Sequence, residues 1–130
     1  MKKGDKMRKL RISFGMENED LLSAGHYGDS AFFLIYDFYE NGILEFIEKR
    51  ENITGESLHG DFEKFKNIIN ILYDVDVFAA YRMGPNFLNI RDKSNKIPYL
   101  TRTRSLKESI DLVKNNFEFL WEEKLKKLKA

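Results

Sequence analysis

The chain contains no cysteine, and this absence removes several kinds of chemistry at once. Without thiols there can be no disulfide framework, zinc–thiolate site, cysteine nucleophile or iron–sulfur cluster ligated by the chain's own cysteines. Long hydrophobic runs are also missing, because the longest covers only residues 31–36, whereas a membrane span needs about 20 residues. No apolar segment follows the basic residues 1–6 to complete a signal peptide. We therefore expect a soluble cytoplasmic protein with no membrane partner.

An excess of one charge is lacking too. The chain has 22 Lys and Arg against 21 Asp and Glu, which gives a net charge of +1 and no general attraction to nucleic acid. The cations concentrate in residues 2–11 and 124–129, but the first tract has no aromatic residue that could stack on a base. We interpret both tracts as solvated ends and expect no nucleic-acid partner.

The length and composition predict one folded unit. The chain has 130 residues, of which 42% are hydrophobic, and this suits a single domain with one hydrophobic core. Residues 1–7 are predicted to be a flexible basic tail, and residues 8–130 to form the domain and end in a long helix.

The first half of the chain shows the alternation typical of strands. Leu10, Ile12 and Phe14 alternate with polar residues and predict a strand over 9–14. Two apolar segments, 31–37 and 43–50, flank Asn41-Gly42, which is a strong signal for a β-hairpin. Residues 15–30 between them are rich in glycine and polar residues and are predicted to be a loop.

The second half alternates helical and strand patterns. A helix is predicted over 61–73, strands over 75–81 and 97–100, and a short helix over 86–92. A last helix is predicted over 105–127, and it opens with a capping box in which Ser105 bonds forward and Glu108 back. The element order β-ββ-α-β-(α)-β-α predicts an α/β fold with a mixed five-stranded sheet covered by helices.

The apolar stripe of the last helix is longer than a small sheet needs. Trp121, Leu125 and Leu128 lie near its end, and large apolar side chains in an exposed patch commonly mark an interface. We expect this end to pack against a partner chain or a second copy. The alternative is that it folds back over its own sheet.

Four segments together resemble a known family. They are the opening strand Leu-Arg-Ile-Ser-Phe, the segment Ser-Ala-Gly-His-Tyr-Gly-Asp at 23–29, the apolar strand before the Asn-Gly hairpin, and the segment 75–85 that ends in Gly-Pro. Over about residues 8–114 the chain resembles the dinitrogenase iron–molybdenum cofactor biosynthesis family, the NifX/NifB-like domain. The resemblance implies a ribonuclease H-like fold of three layers, α/β/α, with strand order 3-2-1-4-5. It also implies a cofactor, an iron–sulfur or iron–molybdenum cofactor precursor.

Two segments depart from the family pattern. The stretch between the hairpin and the first helix is often rich in histidine in the family, but here it has only His59. The turn after the fourth strand is commonly built of small residues, but here it contains Tyr81, Arg82 and Met83. These departures leave an alternative open, an interaction or regulatory protein of the same fold that has lost cluster binding.

The candidate site lies where the first and fourth strands end, since open sheets of this kind bind ligands at the carboxyl ends of their strands. Imidazole can coordinate a metal, glycines permit close approach of the backbone, and an arginine beside a helix N-terminus attracts an anion. His26 and His59 are the candidate metal ligands, and two histidines could hold one face of a preassembled cluster. The predicted ligand-binding residues are His26, Tyr27, Gly28, Arg82, Met83, Gly84 and Asn86, with His59 closing the pocket. The plainer interpretation is a loop histidine bonded to the backbone and a solvent-facing arginine.

An enzyme is not expected. A ribonuclease H-type nuclease needs several carboxylates around two metal ions, but the first strand has no acid, and Asp74 and Asp76 lie at the wrong end of the fourth. No Ser-His-Asp pattern, phosphate loop or dinucleotide fingerprint is present either. The leading hypothesis is a non-enzymatic binding module.

Overall fold

The computed structural model describes residues 7–53, 61–84 and 86–129. The strands are β1 (Lys9–Met16), β2 (Phe32–Tyr39), β3 (Leu44–Glu51), β4 (Val77–Ala80) and β5 (Ile97–Leu100). The helices are α1 (Asp61–Ile71), α2 (Asn86–Lys93), α3 (Leu106–Asn115) and α4 (Phe117–Lys129), and a short 3-10 turn covers Tyr27–Asp29. The predicted tail lies almost wholly outside the described residues. None of the helices in the described ranges is long and apolar enough to cross a membrane, and the cytoplasmic location stays a prediction.

The sheet has the predicted topology. Its strand order is β3-β2-β1-β4-β5. β1 and β3 pair antiparallel with β2, whereas β4 pairs parallel with both β1 and β5. The α/β fold and the strand order 3-2-1-4-5 are therefore confirmed.

The β2–β3 hairpin forms where Asn41-Gly42 predicted it. Gly42 adopts a φ of 90°, in the left-handed region that glycine enters at little cost. The N–H of Gly42 donates to the Tyr39 carbonyl at 2.9 Å, and the Asn41 side chain accepts from the N–H of Ile43 at 3.1 Å. These local bonds close the turn and set Phe38 opposite Leu44.

Helices cover both faces of the sheet, which gives the three-layer arrangement. On the α1 face, named for the helix that covers it, Phe33, Ile35 and Phe78 pack with residues of α1 and α2. On the opposite α3 face, the alternating residues of β1 pack with residues of α3 and α4, among them Val113 and Leu120. The strand alternation predicted for β1 is confirmed, because Leu10, Ile12 and Phe14 are all buried on this α3 face.

The predicted single helix over 105–127 is two helices. They meet at Asn116, whose φ of −109° and ψ of 20° depart from helical values. The Asn116 side-chain amide donates to the Tyr99 hydroxyl at 3.0 Å and to the Leu112 carbonyl at 2.8 Å. The helix therefore breaks where a side chain ties it to β5.

Only half of the predicted capping box forms at the start of α3. The Ser105 hydroxyl accepts from the N–H of Glu108 at 3.1 Å, as predicted. The Glu108 carboxylate does not reach back to the N–H of Ser105, because the Thr103 hydroxyl donates to it at 2.8 Å. Thr103 also accepts from the N–H of Ser105 at 3.2 Å and so takes the place predicted for Glu108.

An ionic network ties together the amino edge of the sheet, where β1 and β4 begin. Arg11 donates to the buried Asp37 at 2.8 and 3.0 Å and to Asp74 at 2.9 Å. Arg50 donates to both carboxylate oxygens of Asp74, at 2.7 and 2.9 Å. The Arg50 and Arg11 hydrogen bonds hold the pKa of Asp74 well below its usual value. Burial alone would raise the pKa of Asp37, but the bonds from Arg11 and Lys9 outweigh it and lower that pKa too.

Candidate functional site

The carboxyl ends of β1 and β4 meet at one edge of the sheet, since the two strands are parallel neighbours. The segments that follow them enclose a small pocket opposite the ionic network. The pocket is lined by His26, Tyr27, Gly28, Asp29, Lys64, Met83, Gly84 and Asn86. All of the predicted ligand-binding residues in the described ranges except Arg82 are among them.

The imidazole of His26 lies directly on the backbone of Gly84. A β-carbon added to Gly84 would stand 2.5 Å from Cε1 of His26 and 2.6 Å from each ring nitrogen, which is closer than non-bonded atoms can approach. Only glycine at position 84 leaves room for the ring in this position. Neither ring nitrogen of His26 has a hydrogen-bond partner among the described residues, so the ring is held by contact rather than by bonds to the backbone.

Tyr27 is part of the pocket wall, but its side chain points away from the pocket. Its ring stacks on Phe78, with centroids 5.3 Å apart, and its hydroxyl is hydrogen-bonded to Ser13 inside the core. Burial raises the pKa of the Tyr27 hydroxyl, although the bond to Ser13 acts in the opposite direction. Tyr27 therefore anchors the loop that carries His26, and only its neighbours can present polar groups to a ligand.

The turn that bears His26 is fixed by further hydrogen bonds. The N–H of Asp29 donates to the His26 carbonyl at 2.9 Å, and the Ser30 hydroxyl donates to the Tyr27 carbonyl at 2.7 Å. The amide of Asn52 donates to the Gly28 carbonyl at 3.0 Å. The loop is thus preorganised by hydrogen bonds within the turn and by the residue that follows β3.

The second wall comes from the segment after β4. Met83 is buried in the core of the α1 face, and Asn86 is buried at the start of α2. Arg82 is exposed and does not line the pocket, but its guanidinium donates to the Ala24 carbonyl at 3.5 Å. Arg82 therefore connects the two loops at the pocket's edge.

Asp29 and Lys64 line the pocket without having been predicted. Lys64 donates to the Asp29 carboxylate at 2.9 Å. Lys64 reaches the pocket because α1 packs closely beside the turn, where a β-carbon added to Gly28 would stand 3.3 Å from Ile68 and 3.6 Å from Lys64 of α1. The position of Lys64 at the pocket depends on how the chain folds, and no local sequence motif around Lys64 predicts it.

The electrostatics of this edge favour an anion. α2 begins here and has no acidic residue in its first turn. The positive potential at its N-terminus is therefore not reduced by a negative charge in that turn. Arg82 adds a cation at the edge of the pocket, whereas the charge of Lys64 is paired with the Asp29 carboxylate, which also lines the pocket. An anionic group bound over the imidazole would meet positive potential from Arg82 and from the start of α2.

The pocket itself is small. Its volume is about 10 Å³, which is room for about one water molecule. A larger ligand would therefore contact His26 at the mouth of the pocket rather than enter it.

The other predicted metal ligand, His59, lies outside the described residues, as does Pro85 of the Gly-Pro turn. Within the described ranges, no group of three or more His, Asp or Glu side chains is placed to hold a metal ion. The described residues thus contribute one imidazole to this edge and do not form a metal cage.

Comparison with known proteins identifies the family of the chain. None of the curated proteins matches the chain. The model of the family described as dinitrogenase iron-molybdenum cofactor matches residues 8–116, which include the whole sheet and every pocket residue. Because the match covers most of the chain, this protein belongs to the dinitrogenase iron-molybdenum cofactor family.

Proposed function

We propose that this protein is a non-enzymatic binding module that carries an iron–molybdenum cofactor or its iron–sulfur precursor as cargo. The observation that carries the proposal is the His26 imidazole, held on Gly84 with both ring nitrogens free of partners in the described residues. A ring in that position can offer one nitrogen to a metal without disturbing the fold.

The chemistry of the edge suits a preassembled cluster better than a single ion. A structural zinc ion needs about three or four protein ligands, whereas an assembled cluster already has most of its coordination. An anionic cluster would be held by one imidazole and by the potential from Arg82 and the start of α2. Since the pocket holds only about one water, the cluster would rest on its mouth and stay accessible for transfer.

The absence of catalysis is part of the proposal. Asp74 lies at the edge opposite His26 and is engaged by Arg11 and Arg50. Asp76 accepts the N–H of Arg11 at 2.8 Å and pairs with Lys124. We expect no cleavage of an RNA–DNA hybrid with magnesium or manganese, and metal-dependent cleavage that is lost on substituting these acids would contradict this.

The test is anaerobic gel filtration of the purified chain with isolated iron–molybdenum cofactor. We expect iron and visible absorbance to elute with the protein. His26→Ala should reduce the bound iron severalfold and Arg82→Ala more mildly, with circular dichroism confirming that each variant is folded. His59→Ala measures whether the second histidine contributes. Equal iron on the native chain and on His26→Ala would refute the proposed site.

A second function, an interaction or regulatory protein that keeps the fold without a cluster, is favoured by one observation. Met83 is buried beside His26, and the space left in the pocket is only about 10 Å³. This function predicts that no iron elutes with the native chain under anaerobic conditions.

A further inference from the structure

A second groove lies on the α1 face, away from His26. It is formed by Phe65, Lys66, Ile69 and Asn70 of α1 together with Lys93, Ser94 and Asn95 at the end of α2. Its volume is about 320 Å³, which is room for one or two large side chains. Phe65 and the partly buried Ile69 make its floor apolar, since both pack in the core of this face.

The rim of the groove is basic and has no acid. Lys66 and Lys93 are both exposed, and neither forms an ion pair within the described ranges. Asn70 and Asn95 are also exposed, and their side chains make no hydrogen bond to any described residue. Lys66 lies over the Phe62 ring, 5.1 Å from its centroid, a contact that does not neutralise its charge. The rim therefore offers two cations and two amides that have no ion-pair or hydrogen-bond partner among the described residues.

Neighbouring acids reduce this potential without cancelling it, because Asp92 interacts most strongly with Arg91 and only more weakly with Lys93. Asp92 is paired with Arg91 at 2.8 Å, and Glu123 is paired with Lys126 at 3.1 Å. At the carboxyl end of α2, the Lys127 ammonium donates to the carbonyls of Arg91 and Ser94. The chain as a whole has a net charge of only +1. The excess of positive charge at this groove is therefore a local feature of the surface.

We propose that this groove docks an acidic segment of a partner protein through one or two large apolar side chains. The apolar floor takes the side chains, and Lys66 and Lys93 pair with carboxylates on either side. A peptide fits better than a nucleic acid, because stacking on a base needs an open ring face, and Phe65, the one aromatic residue of the lining, is only 7% exposed. The proposal does not depend on cargo binding at His26.

The test uses a fluorescein-labelled peptide of sequence Gly-Glu-Glu-Leu-Phe-Glu-Glu-Gly and the full chain, followed by fluorescence anisotropy. We expect saturable binding below about 1 mM that weakens when sodium chloride rises from about 0.05 to about 0.5 M. Lys66→Glu and Lys93→Glu should each weaken binding by about fivefold or more. Both side chains are exposed, so the variants should fold, and circular dichroism checks this.

Lys114→Glu is the matched control, since Lys114 is exposed on α3 and makes the same change of charge far from the groove. It should change the affinity by less than about twofold. The proposal fails if the peptide does not bind, if a peptide with Lys in place of Glu binds equally, or if Lys114→Glu acts like Lys66→Glu. It also fails if single-stranded DNA binds more tightly than the peptide and loses that binding in Lys66→Glu.

Discussion

The contact between His26 and Gly84 joins two loops that are far apart in sequence. The ring lies where a β-carbon on residue 84 would be, so the position of the imidazole depends on one missing atom. A methyl group at that point displaces the ring without removing its chemistry. A substitution at Gly84 therefore tests the position of the His26 ring without changing its ability to coordinate a metal.

Gly84→Ala is expected to move His26 and to weaken cargo binding severalfold while the chain stays folded. Gly25→Ala is the matched control, because its added β-carbon would come no closer than 3.9 Å to Ser23 Oγ. Two-dimensional carbon–proton NMR of the imidazole measures the displacement directly, and anaerobic gel filtration measures the binding. Unchanged imidazole shifts in Gly84→Ala would show that the two groups are not in contact.

The ionic network at the amino edge makes stability depend on pH. The pKa values of Asp37 and Asp74 are lowered in the folded chain. Their contribution is therefore fully present above the unfolded carboxyl pKa of about 4 and is lost as the pH falls through the folded values. Each is held by arginine, which stays charged throughout this range.

Asp74→Asn should lower the free energy of unfolding at neutral pH by about 2 kcal/mol, since bonds from two arginines lose their charged acceptor. Its stability should also fall less steeply than that of the native chain between about pH 5 and pH 2. Urea unfolding across this range measures both effects. Parallel pH profiles for the native chain and the variant would mean that Asp74 does not titrate with folding.

At the scale of the elements, the features that depend on local sequence were predicted well. The features that depend on contacts between distant residues could not be predicted, because local sequence patterns do not record such contacts. The β2–β3 hairpin follows from Asn41-Gly42, whose bonds are all within a few residues. The break at Asn116 could not be predicted, because the apolar stripe continues through it and the bond that ties it down comes from Tyr99 in another element.

The same reasoning applies to the candidate site. The glycines and the histidine around position 26 could be recognised in the sequence, and so could the turn at Gly84. The Asp29–Lys64 pair could not, since it depends on where α1 packs. The inward direction of the Tyr27 ring depends in the same way on the buried partners Ser13 and Phe78.

Asn116→Ala and Tyr99→Phe should each reduce the free energy of unfolding by about 1 kcal/mol, because each removes the hydrogen bond between α3–α4 and β5. The double variant should lose less than the sum of the two, since both remove the same bond. Urea unfolding of the four proteins in this cycle gives the coupling energy. Strict additivity would show that the bond does not stabilise the break.

At the scale of the whole molecule, the first part of α4 packs against its own chain. Trp121 stacks on Phe117, with centroids 6.2 Å apart, and Arg8 lies over both rings. Further along the same side, Leu125 is only partly buried and Leu128 is 68% exposed. The helix therefore folds back at its start, and an interface with a second copy stays a prediction for its end.

We expect the full chain to self-associate through this stripe and Leu128→Glu to shift it toward the monomer in sedimentation velocity. Phe119→Glu is the control, since Phe119 is 57% exposed but lies on another side of α4. A monomer in every case would rule out self-association. An equal effect of both substitutions would place the interface elsewhere on the helix.

The two kinds of strand pairing differ in how far apart their partners are in the chain. Phe38 pairs with Leu44 across the hairpin, whereas Ile12 pairs with Val77 only after the intervening chain has closed into a loop. Loop closure costs entropy that rises with length, so the hairpin should form first.

Gly42→Ala, strained by its φ of 90°, should mainly slow folding, whereas Val77→Ala should mainly speed unfolding in stopped-flow measurements. The opposite pattern would mean that the parallel pair nucleates folding.

This order also has a consequence during synthesis. The meander of β1, β2 and β3 can assemble as soon as residues up to 51 have left the ribosome, but the other edge of β1 then has no neighbour. Until β4 is made, the buried apolar residues of β1 form the border of an open sheet, which is the kind of edge that recruits strands from other chains. Charged residues of β1 lie only at its start, at Lys9 and Arg11, so the rest of this border is apolar. The parallel pairing of β4 therefore does more than complete the core, because it closes the open apolar border of the nascent meander.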